Sequence, residues 1–121
     1  MKTSIEKYDL EERTSEFGRD IIKLCKKVKS NTITLPIIDQ LIRSGTSVGA
    51  NYMEANAASS KKDFRNKIFI CKKEAQETKH WLRMIATAAE ELENESSALW
   101  KEAQELTLIF NKITQTLDKK L

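Results

Sequence analysis

The chain has 121 residues, 40% of them hydrophobic, enough for one domain around one modest core. With three glycines, one proline and an abundance of Ala, Leu, Ile, Lys and Glu, few positions break a helix and little supports a strand, so an all-α protein is expected. No apolar run approaches the roughly 18 residues of a membrane span and no charged-then-apolar leader follows Met1, which points to the cytoplasm and away from membranes.

The net charge of +3 says less than its distribution. From Lys61 to Arg83 there are eight basic and three acidic residues, whereas Glu90 to Glu105 holds six acidic residues and one lysine. Such asymmetry can steer a polyanion to one part of a surface.

In chain order, Met1 to Tyr8 reads as a short polar arm. A first helix is predicted over 9–29, with Leu10, Phe17, Ile21, Leu24 and Val28 on one face. Acids near its start and lysines near its end complement the helix dipole. Gly18 inside it marks a close contact. A second helix is predicted over 35–58, with Thr34 as N-cap, Pro36 in the first turn and the seam Ile38, Leu41, Gly45, Val48, Tyr52 and Ala55.

The third segment, 61–93, is the most regular. Steps of four and three give Phe64, Ile68, Cys71, Ala75, Thr78, Leu82, Ile85, Ala89 and Leu92, a seam of about four heptads. Ser60 and Asp63 form a capping box before it. A short turn at Asn94 to Ser97, with Ser96 or Ser97 as cap, leads to a fourth helix over 97–119, whose seam is Leu99, Ala103, Leu106, Phe110, Ile113 and Leu117. Four amphipathic helices on short connections predict a single antiparallel up-down-up-down four-helix bundle.

Enzyme chemistry finds little support. Glu77 and His80 have the Glu-x-x-His spacing of a di-iron helix, but His80 is the single histidine and both residues fall off the third seam. No nucleophile elbow or glycine-rich phosphate loop is present. Cys25 and Cys71 lie at or beside core positions without CxxC spacing and read as small buried hydrophobes. No catalytic residue, metal or cofactor is expected.

Three surface rows carry the remaining signal. On the third helix Lys62, Arg65, Phe69, Lys72, Gln76, Lys79 and Arg83 form a basic stripe, with Lys73 and His80 beside it, that could follow a phosphate backbone while Phe69 stacks on an unpaired base. The alternative is a solvated face with Phe69 in a subunit contact. A neighbouring row, Ile70, Glu74, Glu77, Trp81 and Met84, widens the apolar arc and suggests an oligomer contact or an extended core. On the second helix Arg43, Ser44, Ser47, Asn51 and Glu54 suggest a polar network between helices or a ligand site, with Gly45, Gly49 and Ala50 allowing close backbone approach.

The run Gln40 to Ala55 (QLIRSGTSVGANYMEA) resembles the signature of the bacterial four-helix-bundle proteins first noted as reading frames inside intervening sequences of 23S rRNA genes. Lys73 to Leu82 (KEAQETKHWL) resembles that family's second signature. Asn56 stands where the family usually has glycine. The resemblance covers nearly the whole chain and implies a left-handed bundle assembling into a ring-like homopentamer. It also implies kinship with the accessory variability determinant of diversity-generating retroelements, a basic pentamer that binds nucleic acid and a reverse transcriptase.

The resulting expectation is a non-enzymatic homo-oligomer binding RNA or other nucleic acid through the third helix. The alternatives are a protein-interaction scaffold and a reverse-transcriptase accessory subunit without direct nucleic-acid contact.

Overall fold

A computed structural model describes residues 9–120; the predicted polar arm lies outside the described residues. Helix α1 is Leu10–Lys27, α2 is Thr34–Asn56, α3 is Lys61–Ala88 and α4 is Glu93–Lys120, with a single 3-10 turn, Glu90–Leu92, between the last two. They form the expected antiparallel four-helix bundle. Among the described residues no helix is long and apolar enough to cross a membrane.

Local chemistry explains most of the helix ends. Asp9 begins α1, its carboxylate accepting from the Glu12 N–H. Ser60 does the same for α3, accepting from the Asp63 N–H at 3.0 Å, as the capping box predicts. Thr34 is the first residue of α2 rather than its cap. The Asn31 side chain accepts from the N–H groups of Ile33 and Thr34, and the Thr34 hydroxyl donates to the Lys29 carbonyl, so an Asx-type turn starts the helix. The second helix ends at Asn56, two residues before the predicted end.

The boundary between the third and fourth helices also differs from expectation. Ala89 leaves helical geometry (φ −134°, ψ 77°), so α3 stops five residues before the predicted end and α4 begins four before the predicted start. The tight turn keeps Ala89 and Leu92 on the core side, buried, which is why the heptad pattern runs on after the helix has ended. Ser96, expected as a cap, is buried inside α4.

The core is the union of the four predicted seams. Ile21, Leu41, Val48, Ile68, Cys71, Ala75, Ile85, Ala103, Leu106 and Phe110 are fully buried. Phe64, Tyr52, Leu99 and Ile113 are half-buried and pack against them. Each fully buried aliphatic or aromatic side chain stabilises the fold by about 1.5–3 kcal/mol. Buried threonines return their hydroxyl protons to their own helices, Thr14 to Leu10 O, Thr78 to Glu74 O and Thr107 to Ala103 O, so the core carries them at little desolvation cost.

Glycine sets the α1–α2 spacing. A Cβ on Gly45 would lie 2.8 Å from Ile21 Cγ1, and one on Gly49 would lie 3.3 Å from the Thr14 carbonyl oxygen. The contact between α1 and α4 is the smallest of those between neighbouring helices, held at its rim by Arg13 with Glu102 and Glu105 and by Lys27 with Glu95.

Candidate nucleic-acid interface

Helix α3 packs its seam against α2 and α4 and turns the opposite side outward. The outermost positions recur at four and three: Lys62, Asn66, Phe69, Lys73, Gln76, His80 and Arg83, all exposed. The predicted basic stripe therefore divides into two rows. Lys62, Phe69, Gln76 and Arg83 belong to this outer ridge, together with Lys73. Arg65, Lys72 and Lys79, spaced by seven, lie on the flank that faces α4.

That flank is a ladder. Arg65 grips Asp118 with two hydrogen bonds, Nε to Oδ1 at 2.6 Å and Nη2 to Oδ2 at 3.1 Å. Lys72 Nζ donates to Asn111 Oδ1 at 3.0 Å, and Lys79 Nζ donates to Gln104 Oε1. Each step of seven along α3 meets a step of seven back along α4, the register of an antiparallel pair. Sequence reading singled out the cations and missed their partners, although Gln104, Asn111 and Asp118 also recur at sevens.

The rungs differ in charge. Arg65 is offset by a carboxylate, and its guanidinium holds the Asp118 carboxyl below the usual carboxylate range. Lys72 and Lys79 are held by neutral amides, so they are positioned without being neutralised. Their ammonium groups also sit over aromatic rings, Lys72 5.4 Å from the Phe69 centroid and Lys79 5.1 Å from that of Trp100. On the ridge Lys62, Lys73 and Arg83 make no ion pair among the described residues. From Lys62 to Arg83 the row runs roughly 30 Å.

The other flank of α3 faces α2. Glu74 and Glu77 both bind the Arg43 guanidinium, and the Trp81 indole N–H donates to Glu77 Oε2 at 3.0 Å. Trp81 and Arg43 together depress the Glu77 carboxyl below its ordinary value. Ile70, Trp81 and Met84 are half-buried, and Trp81 packs against the core.

Of the polar row on α2, three members reach across. Besides Arg43, the Ser44 and Thr78 hydroxyls meet in a hydrogen bond at 3.0 Å, and Glu54 pairs with Lys67 at 2.7 Å. Ser47 and Asn51 instead donate to carbonyls of their own helix, those of Arg43 and Ser47. The row is a bridge between α2 and α3 at both ends and a self-contained helix face in the middle.

Acidic groups collect on the far side of the bundle. Asp9, Glu12, Glu16, Asp20 and Glu102 line the groove between α1 and α4, where Arg13 and Arg19 offset part of their charge. The α3 ridge and this groove give the molecule one basic and one acidic side.

A family model described as 23S rRNA-intervening sequence protein matches residues 6–112. A solved structure, that of a protein with unknown function from the S23 ribosomal protein family of Bacteroides thetaiotaomicron, is similar in fold. The TM-score is 0.76 and the sequences are 30% identical, covering 86% of this chain and 96% of that one. No curated protein matches the chain.

Proposed function

We propose a non-catalytic, nucleic-acid-binding role for this chain, which belongs to the 23S rRNA-intervening sequence protein family. The observation that carries it is the outer ridge of α3, with Lys62, Lys73 and Arg83 free of acidic partners among the described residues and Lys72 and Lys79 pinned beside them by amides. A row of fixed cations releases counterions from a phosphate backbone at little ordering cost. Phe69, 43% exposed on the same ridge, offers a face for an unpaired base, which favours single-stranded or looped RNA over a regular duplex. Arg65 contributes little, because Asp118 occupies it.

The test is charge reversal away from any core contact. The triple variant Lys62→Glu, Lys72→Glu, Lys73→Glu should retain the helical signal and lose retention of a single-stranded RNA at physiological salt. Undiminished retention by this variant would overturn the reading.

A second reading, a protein contact or self-association, draws on the outer α1–α2 groove. Gly18, Thr46, Gly49 and Ala50 leave it shallow, and Ile22 and Met53 stand exposed along it at 41% and 60%. A ring of five and a reverse-transcriptase partner, suggested by the resemblance to the retroelement accessory determinant, belong to this reading. Light scattering with and without RNA separates a self-associating protein from a monomer.

A further inference from the structure

Where α3 ends and α4 begins, Leu82, Arg83, Ala86, Glu93, Ser96, Ser97 and Trp100 enclose an open pocket of about 240 Å³. This lies below the roughly 300–1,000 Å³ of a drug-sized ligand site and suits a single ring system. Leu82 and Ala86 supply an apolar wall and the indole a flat one. Arg83 is the last cation of the ridge, and Lys79 stands over the Trp100 ring. Glu93 brings a carboxylate and Ser96 and Ser97 bring hydroxyls.

Ser96 marks this pocket apart from the rest of the interior. It is 1% exposed, and its Oγ has no hydrogen-bond partner. The other buried hydroxyls, those of Thr14, Thr34, Ser44, Thr78, Thr107 and Thr114, are all bonded. Folded proteins rarely leave such a group unmet.

The wall chemistry narrows the ligand. A bare phosphate would use Arg83 but would meet the Glu93 carboxylate and leave the indole unused. An aliphatic ligand would leave Arg83, Glu93 and Ser96 unmatched. A planar heterocycle with a donor edge and an acceptor edge uses Arg83, Glu93 and the indole together. We infer that this pocket takes one unpaired nucleobase, guanine in preference to the others: the N1–H and N2–H groups donate to Glu93, O6 or N7 accepts from Arg83, and the ring packs on Trp100. The inference deepens the nucleic-acid reading and rests on it, since Arg83 ends the same ridge.

The probes are the four 5′-mononucleotides and inorganic phosphate, added to the Trp81→Phe variant, in which Trp100 is the remaining indole. Guanosine monophosphate should quench the emission saturably and bind at least about tenfold tighter than the uridine nucleotide. Glu93→Gln should remove the preference for guanine, and Arg83→Gln should weaken every nucleotide, both at exposed positions and with the helical signal as the control for folding. The Lys62, Lys72, Lys73 triple variant should quench like its parent. Equal response to all four nucleotides and to phosphate would mean an anion site and overturn the pocket assignment. RNA retention without quenching by the guanine nucleotide would overturn the pocket alone. Saturable guanine-selective quenching without RNA retention would support the pocket and remove the ridge.

Discussion

At the scale of single residues, glycine and cysteine give sharp tests of the packing. Gly18 and Gly45 both lie on buried helix surface between α1 and α2, yet a Cβ means opposite things at the two. On Gly18 the nearest atom, Thr46 Cα, would be 3.6 Å away, ordinary contact, so Gly18→Ala should gain the helix preference of alanine, about 0.5–1 kcal/mol. On Gly45 the Cβ would press on three atoms of the stiff, fully buried Ile21, so Gly45→Ala should lose a net 1–3 kcal/mol or so despite the same helix gain. Urea unfolding of the two variants checks the difference in sign. Sequence spacing marks both glycines as close-approach sites; which of them is obligatory depends on what lies opposite, and that is absent from a one-dimensional pattern. Both cysteines have the buried placement expected of them. Burial pushes the Cys25 thiol up to about 11 and the Cys71 thiol to about 12, so at pH 8 neither should react with a thiolate-specific reagent in the native protein, and both should react in denaturant.

At the scale of helices, the α3 seam was legible from end to end because burial on one face imposes the four-and-three period directly. The surface rows were legible only as a list of cations. Arg65, Lys72 and Lys79 repeat at seven while Lys62, Phe69, Gln76 and Arg83 interleave with them, and nothing in α3 alone tells flank from ridge. Their α4 partners decide it. The end of α3 was illegible for a related reason: no glycine or proline stands between Ile85 and Ser96, and Ala89 and Leu92 keep the core period through the 3-10 turn. The α2–α3 bridge has its own pH signature. Glu77 is depressed in the folded chain, so its contribution is fully present above the ordinary carboxylate range and is lost as pH falls through the lowered value. The stability difference between the native chain and Glu77→Gln should accordingly favour the native chain at pH 7 and shrink as the pH falls below the ordinary carboxylate range, as read from urea midpoints. A difference independent of pH would mean that the carboxylate plays no ionic part in holding α2 to α3.

At the scale of the whole molecule, the fold separates its most basic ridge, on the outer side of α3, from its most acidic groove, between α1 and α4, since α1 and α3 are not neighbours in the square of four helices. Sequence composition shows the segregation along the chain; folding turns it into two opposed sides, because α3 points its unpaired cations outward while Arg13 and Arg19 are spent among the acids of α1 and α4. The small net charge of +3 thus conceals a strong local field, and attraction of a polyanion should be confined to the α3 side.

The salt dependence of RNA binding tests that claim most directly. For single-stranded RNA the slope of log affinity against log salt is about −0.7 per phosphate contact. The native chain should bind with a steep negative slope, and the Lys62→Glu, Lys72→Glu, Lys73→Glu variant should show one shallower by about 2. A native slope near zero, or a slope unchanged in the variant, would contradict the assignment of the α3 ridge.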